Sequence, residues 1–457
     1  MEGRDQLEGI QREPDKVRTQ SRGALSAGLA RVQEAARRGR RTQFTALLHH
    51  VDVGSLRRAF GRLRRGASPG VDGETVVSYE RDLEVNLADL CERVHTGHYR
   101  PQPVRRVYIA KASGGQRPLG IPALEDKIVQ GAVAEVLSAI YEVEFKDFSY
   151  GFRPGRSAHQ ALAALLEGIM RQRVDWVLEA DIRSFFDSVD HEQLLQAVAV
   201  RIADPRVLRL LRQWLRAGVL ESGEWYETRV GTPQGSAISP LLANIFLHYA
   251  LDRWVVRWAA ERGRGRVVVV RYADDFVLGF ERERDARAMA EALPERLSHC
   301  GLELHGAKTR LLEFGRYAAE RRARRGERRP ETFDFLGFTH YCGRTRSGRF
   351  TVKRKTQGQR MKRKLREVGR EARRRRHWPV GMQQQWLSAV LRGHYAYYGL
   401  PHNYRWLKNF YAQVRRLWYG SLRRRDGRRR LTWERFQALL KVFPLPEPRI
   451  THSWQPG

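Results

Sequence analysis

Asp274 and Asp275 are neighbouring carboxylates in the tetrapeptide Tyr272-Ala273-Asp274-Asp275, flanked by β-type runs at 266–271 and 276–280. That pattern reads as a hairpin with both acids at its tip. Successive strand side chains point to opposite faces, but at a turn two carboxylates can face one ion. Asp181 lies near the end of another apolar run, 175–182, of the kind that would lie beside the hairpin in a sheet. Three carboxylates meeting there would hold two hard cations through oxygen. Two Mg²⁺ ions roughly 4 Å apart stabilise the attacking and the leaving oxygen of a phosphoryl displacement. An isolated Asp-Asp pair, however, is more often just a polar turn. The dipeptide decides nothing without its surroundings.

Those surroundings alternate strands and helices. Residues 104–109, the turn Ala112-Ser113-Gly114-Gly115 and residues 117–121 form a hairpin candidate, followed by a long helix over 124–140. Asp190-His191-Glu192-Gln193 has capping-box spacing ahead of a helix over 194–202. Asp204-Pro205 starts another that Gly218 can close, and Ser239-Pro240 starts a longer one reaching about Arg262. A helix over 282–297 and strands near 309–314 and 333–340 complete an α+β unit.

The 457 residues suffice for two or three domains. Lys and Arg total 84 against 51 Asp and Glu, a net charge of +33, while apolar residues reach 42%. The chain is therefore a folding sequence with an excess of cations, which favours a polyanionic partner. Only 11 of the cations are lysine. Guanidinium groups fork onto phosphate and stack on bases, so this excess suits nucleic acid. Cys91, Cys300 and Cys342 are far apart with no CxxC pair, which argues against a zinc-ribbon or disulfide scaffold. Apolar stretches such as 241–251 and 267–270 are too short or interrupted to span a membrane, and the first residues lack a signal-peptide pattern. A cytoplasmic, nucleic-acid-associated protein with no membrane partner is the expectation.

Residues 1–44 read as a loosely ordered basic arm with one weak helical stretch at 24–37. Composition shifts again beyond Tyr341. Positions 353–376 hold 13 basic and 2 acidic residues, and 405–430 hold 10 and 1. Trp386, Tyr395, Tyr397, Tyr398, Tyr404, Trp406, Phe410, Tyr411, Trp418 and Tyr419 are interspersed. This reads as a helical domain with basic and aromatic surfaces.

Taken together, the motifs resemble the reverse transcriptases. Tyr272-Ala273-Asp274-Asp275 resembles their active-site hairpin, and Asp181-Ile182-Arg183-Ser184-Phe185-Phe186-Asp187 their first metal-binding strand. Gly231-Thr232-Pro233-Gln234-Gly235-Ser236, with Ser239-Pro240-Leu241-Leu242-Ala243-Asn244, resembles the template- and nucleotide-contacting loop and helix. Lys308-Thr309 and Phe335-Leu336-Gly337-Phe338 match the next two motifs in order. Further runs are similar to bacterial group II intron-encoded reverse transcriptases and maturases. They are Gly66–Gly73, Gln116–Pro122, Tyr150–Ser157, Leu391–Gly399 and Leu431-Thr432-Trp433. This resemblance extends over about residues 45–455. Relatives often continue into a Cys/His-rich endonuclease, which this sequence does not show, so second-strand cleavage is not expected of it.

The resemblance implies roles residue by residue. Asp181, Asp274 and Asp275 would coordinate two Mg²⁺ ions, with Mn²⁺ as a substitute. Lys111 and Arg117 would grasp the incoming triphosphate, Phe186 would gate against a 2′-hydroxyl, and Gln234 would lie near the nucleotide or templating base. Lys308 would assist the pyrophosphate leaving group, and Leu336 and Gly337 would support the primer. Arg373, Arg374, Arg375 and Arg376, with Arg423, Arg424 and Arg425, would bind RNA. Each has a plainer alternative. Lys111 and Arg117 read equally as exposed hairpin charges, Phe186 as core, and the Tyr/Trp series as helix packing with a minority stacking on bases. Asp187 and Asp190 are assigned to structure, the latter as a helix cap, and His394 to packing or an RNA-facing surface.

The expected architecture is an α+β right-hand polymerase: fingers over 45–165, a palm with an antiparallel sheet over 166–345, and a helical, basic thumb or maturase domain over 346–457. Its expected work is copying RNA into cDNA and binding group II intron RNA to assist splicing. Its partners would be the intron RNA, an RNA template with a DNA primer, dNTPs and target DNA; a homodimer stays open. The alternatives are a host-defence reverse transcriptase and a splicing-only maturase with a vestigial polymerase.

Overall fold

The computed structural model describes the chain outside residues 1–24, 111–115, 222–223, 228–230, 232–234, 426–430 and 454–457. Its strands are β1 (Val104–Ala110), β2 (Gln116–Ile121), β3 (Trp176–Asp181), β4 (Val219–Glu221), β5 (Glu224–Tyr226), β6 (Val267–Tyr272), β7 (Asp275–Phe280), β8 (Arg310–Glu313), β9 (Phe333–Phe335), β10 (Phe338–Arg344) and β11 (Phe350–Thr356). They form three sheets, ordered β2-β1-β4-β5, β6-β7-β3-β8 and β11-β10-β9. With helices between and after them, the α+β fold expected of a right-hand polymerase is what the chain adopts. The chain divides into two compact units, residues 1–165 with 177–311, and residues 166–176 with 312–457.

In the first unit the helix Leu124–Tyr141 is the central support. Ile128, Val129, Val133, Leu137 and Ile140 are all buried, and the helices Ala27–Arg38 and Val53–Gly61 pack on it. Part of the segment read as an arm is thus built into the unit. Leu29 and Ala36 are fully buried, and Arg201 donates to the carbonyls of Ala36 and Gly39. The charged face of that helix had masked its narrow apolar stripe. Asp190 caps the helix His191–Ala199 by accepting from the Gln193 amide at 2.8 Å, as its spacing implied.

The long helix expected from Ser239 onward is interrupted. It runs Ser239–Leu247, widens into a π turn over His248–Asp252, and resumes over Arg253–Glu261. A one-residue π insertion barely disturbs apolar periodicity, so sequence patterning cannot locate it.

The second unit is built from the helices Gly358–Arg374, Val380–Tyr398, Tyr404–Arg425 and Trp433–Val442 around Leu387, Leu391, Phe410, Val414, Trp418 and Phe436. Most of the aromatic series belongs to this packing, although Tyr404 stays exposed. His394 is packed, its ring stacked 3.7 Å from that of Phe410. The basic stretch from 353 begins as strand: Val352, Arg354 and Thr356 face in, while Lys353 and Lys355 are half-buried. An arginine at an inward position hid that alternation. The run 333–340, read as one strand, is two, β9 and β10, turned by Leu336 and Gly337 at φ 48° and 82°. Positive φ at both central residues is what a two-residue hairpin loop needs. Among the described residues no helix is long and apolar enough to cross a membrane.

Candidate catalytic site

The hairpin carrying the two acids pairs a β-branched run with a largely apolar strand. Val269 faces Leu278, Val270 faces Val277, and Tyr272 closes the ladder against Asp275. Only Ala273 and Asp274 are left to make the turn. Ala273 takes φ 57°, a left-handed conformation that costs a non-glycine residue about 1 kcal/mol. Asp274 thus stands at the tip and Asp275 opens β7, both half-buried. Strand β7 neighbours β3, and Asp181 is the last residue of β3.

Beyond Asp181 the chain is held by a second layer. The Asp181 carbonyl accepts from the His305 amide at 2.8 Å, and Arg183 donates its amide to the Glu303 carbonyl at 2.8 Å. This bridge delivers the 3-10 turn Gly306–Lys308, whose Lys308 Nζ donates to Asp181 Oδ2. Lysine and carboxylate are 59% and 26% exposed, so the pair contributes about 1 kcal/mol or less to stability. Its effect is local: it places one cation on the carboxylate at the end of β3.

The carboxylates are hard oxygen donors, the kind a divalent ion such as Mg²⁺ accepts. Among the described residues, no three His, Cys, Asp or Glu side chains gather closely enough to hold a metal unaided. Mg²⁺ is ordinarily bound by one or two carboxylates, with substrate phosphates and water completing its octahedron, so the donor set fits the ion in kind.

Phe186 lies in the short helix Phe185–Ser188 that follows Asp181. Phe185 is core at 2% exposure, whereas Phe186 is only half-buried and meets it edge-on at 5.4 Å. Of the adjacent phenylalanines, the surface belongs to Phe186. The Gly231 loop begins beside it. Gly231 sits at φ 88°, and a Cβ there would lie 2.9 Å from the Phe186 carbonyl oxygen. Its amide donates to the Val189 carbonyl, and its own carbonyl is 2.7 Å from His191 Nε2. At the far end, Gln130 Oε1 accepts from Ser236 Oγ at 2.7 Å and from the Ala237 amide at 3.1 Å. Gly235 comes so close to β2 that a Cβ would lie 2.4 Å from the Gly120 carbonyl oxygen. Both ends of the loop are therefore pinned, by His191 and Gln130. Sequence reasoning missed these two because each acts at long range from inside a helix. Gln234 itself and Lys111 fall outside the described residues, and Arg117 is placed by its backbone alone, opposite Ile109 in the β1–β2 ladder.

Leu336 and Gly337 form the β9–β10 turn of the second unit. The Tyr397 hydroxyl donates to the Leu336 carbonyl at 2.8 Å and steadies that turn. The arginine runs divide. Arg373, Arg374, Arg423, Arg424 and Arg425 are exposed. Arg375 instead pairs with Glu371 at 2.6 Å and stacks on Trp378 and Trp386, at 4.3 and 5.0 Å from their ring centroids. Arg376 is half-buried.

The family model described as "Reverse transcriptase (RNA-dependent DNA polymerase)" matches residues 109–340. The chain is 40% identical over 256 residues to "Protein YkfC" of Escherichia coli (strain K12), covering 50% of this chain and 66% of that protein. It is 43% identical over 175 residues to "Group II intron-encoded protein LtrA" of Lactococcus lactis subsp. cremoris, covering 38% of this chain and 29% of LtrA. A third relative, "Uncharacterized 91 kDa protein in cob intron" of Schizosaccharomyces pombe, is 35% identical over 243 residues, 52% of this chain and 30% of its own length. The matches thus span only part of each relative.

Proposed function

Because the chain belongs to the reverse transcriptase (RNA-dependent DNA polymerase) family, we propose that it is a group II intron-encoded RNA-directed DNA polymerase and maturase. It would extend a DNA primer on an RNA template from dNTPs, for insertion of the intron at a DNA target. It would also bind the intron RNA and stabilise the fold that splices. The observation that carries the polymerase reading is the acid pair of the β6–β7 hairpin, Asp274 in its turn and Asp275 at the start of β7, with β7 neighbouring the strand that ends in Asp181.

In the reaction a primer 3′-oxygen attacks the α-phosphorus of the dNTP, and pyrophosphate leaves. Asp181, Asp274 and Asp275 would hold two Mg²⁺ ions, or Mn²⁺ in their place, which when bound supply charge stabilisation at the attacking and leaving oxygens. Lys308, whose Nζ donates to Asp181, would assist the departing pyrophosphate by offsetting its developing charge. Phe186 presents an apolar ring that a 2′-hydroxyl would have to displace. Lys111 and Arg117 would grip the triphosphate, with Gln234 at the nucleotide and Leu336 and Gly337 under the primer. Catalysis of this type is positioning and electrostatics. Maturase binding would draw on the exposed arginines Arg373, Arg374, Arg423, Arg424 and Arg425, with Arg376 at the margin. Phosphate contacts would supply affinity, and RNA shape and unpaired bases the specificity.

The test is primer extension on poly(rA)/oligo(dT) with Mg²⁺ and dTTP, comparing wild type with Asp274→Asn, alongside splicing of the flanking intron RNA. Extension by wild type alone supports the polymerase. Assisted splicing without any extension would replace it with a splicing-only maturase.

A further inference from the structure

Two residues before Ala273 and its turn lies Arg271, whose side chain is wholly buried. Its Nε and Nη2 donate to the two oxygens of Asp252 at 2.7 and 2.6 Å. Its Nη1 donates to Asn244 Oδ1 at 2.9 Å and to the carbonyl of Ala273, the left-handed residue of the turn, at 3.0 Å. Asn244 passes the link on, donating from Nδ2 to the Gly151 carbonyl at 2.7 Å. The Arg271 backbone is fixed as well, its amide donating to Phe148 O and its carbonyl accepting from the Tyr150 amide, both at 2.9 Å. Gly151 in turn lies so close to the turn that a Cβ there would stand 2.3 Å from the Ala273 nitrogen. The tip is therefore wedged between the Gly151 backbone and the Arg271 guanidinium.

We propose, building on the polymerase reading, that Asp252, Arg271 and Asn244 are positioning residues that fix the catalytic hairpin, setting where Asp274 and Asp275 present their carboxylates. Asp252 and Asn244 are each 1% exposed, so neither touches a nucleotide or template. A buried ion pair is a poor source of stability compared with apolar packing, because both ions give up their hydration. Retaining one directly behind a strained turn is better explained by geometry. The planar guanidinium can saturate a carboxylate with one edge and still reach two further acceptors, which an ammonium cannot do. Strained backbone such as that of Ala273 persists only where its surroundings over-determine it, and here one of its carbonyl lone pairs is committed to Arg271. The π turn over His248–Asp252 ends on Asp252, so the helix irregularity lies at the ion pair. Such irregularities concentrate at functional sites.

The test is steady-state primer extension by Asp252→Asn, Arg271→Lys and Asn244→Ser, with a Mg²⁺ titration, thermal unfolding and RNA affinity measured on the same preparations. Misplaced carboxylates should lower kcat about a hundredfold in the first two variants and about tenfold in Asn244→Ser. KM for dTTP and RNA affinity should stay within about threefold of wild type. The Mg²⁺ concentration for half-maximal rate should rise about tenfold, with added Mg²⁺ restoring part of the rate. Wild-type kcat in folded variants would overturn the proposal. So would a loss that tracks the folded fraction with an unchanged Mg²⁺ requirement. If the two charge variants do not fold, Asn244→Ser, which disturbs no ion pair, decides by the same readings. Absence of extension by wild type itself would instead remove the polymerase reading on which the proposal stands.

Discussion

At the β6–β7 hairpin the Ala273 carbonyl, the Gly151 backbone and two adjacent aspartates belong to one turn and its first ladder residue, so single substitutions there have separable consequences. Asp274→Asn keeps the side-chain shape but removes the negative charge that a hard cation needs. It should lower primer extension by about a thousandfold or more while leaving RNA binding, measured by filter retention, within about twofold. Gly151→Ala inserts a methyl group 2.3 Å from the Ala273 nitrogen, so the turn must move. The expected outcome is loss of cDNA synthesis with about 1–3 kcal/mol of destabilisation in thermal unfolding. Phe186 is the half-buried member of its pair, and Phe186→Ala should leave the core intact. Competition between dTTP and UTP should show discrimination falling about tenfold or more.

The helix Gly358–Arg374 and its C-terminal extension show that charge along one element is not all of one kind. Arg373 and Arg374 are exposed and free to meet phosphate, whereas Arg375 is held by Glu371 and two indole rings. Replacing Arg373 and Arg374 together by alanine should weaken RNA binding and flatten the slope of log affinity against log salt by about 1.5 to 2. An unchanged slope would remove these residues from the interface. Arg375→Ala should instead destabilise the protein by about 1–2 kcal/mol and leave the salt slope alone, because its cation already lies over aromatic faces.

For the whole molecule, net charge and buried histidines set the response to salt and acid. The second unit alone carries the two runs in which basic residues outnumber acidic ones by 13 to 2 and by 10 to 1. RNA affinity should therefore drop by about a thousandfold or more between 50 and 200 mM salt, as for proteins that contact six or more phosphates. Burial pushes His248, His340 and His394 from 6.5 down to about 3. A lowered histidine binds fewer protons when folded, so its stability contribution is complete above pH 6.5 and is lost as pH falls toward 3. In the first unit Asp126, raised by burial to about 6, works the other way between 6 and 3.8 and offsets His248. The second unit holds His340 and His394. It should lose about 2 to 3 kcal/mol per pH unit below pH 6, seen as an acid-shifted calorimetric transition that His394→Phe makes shallower.

Local pattern was enough for the parts of this protein that are local. The β-branched run before Tyr272, the hairpin carrying the two acids, the Asp190 cap and the order of motifs could all be read from the chain. The pattern alone puts both acids at the tip, whereas the structure leaves only Ala273 and Asp274 in the turn, with Asp275 already in β7. Strand period, turn chemistry and capping act over a few residues, and the resemblance rests on contiguous runs. What only the tertiary structure decided is partnership at a distance. Nothing near Arg271 indicates that Asp252, across a π turn, neutralises it, or that Gln130 pins a loop 106 residues away. Nor does the basic composition separate Arg374, open to solvent, from Arg375, used up on tryptophan, or from Arg354, turned inward on β11. A charge or an amide has the same sequence signature wherever it points; burial and the geometry of its neighbours determine whether it meets solvent, substrate or the protein's own interior.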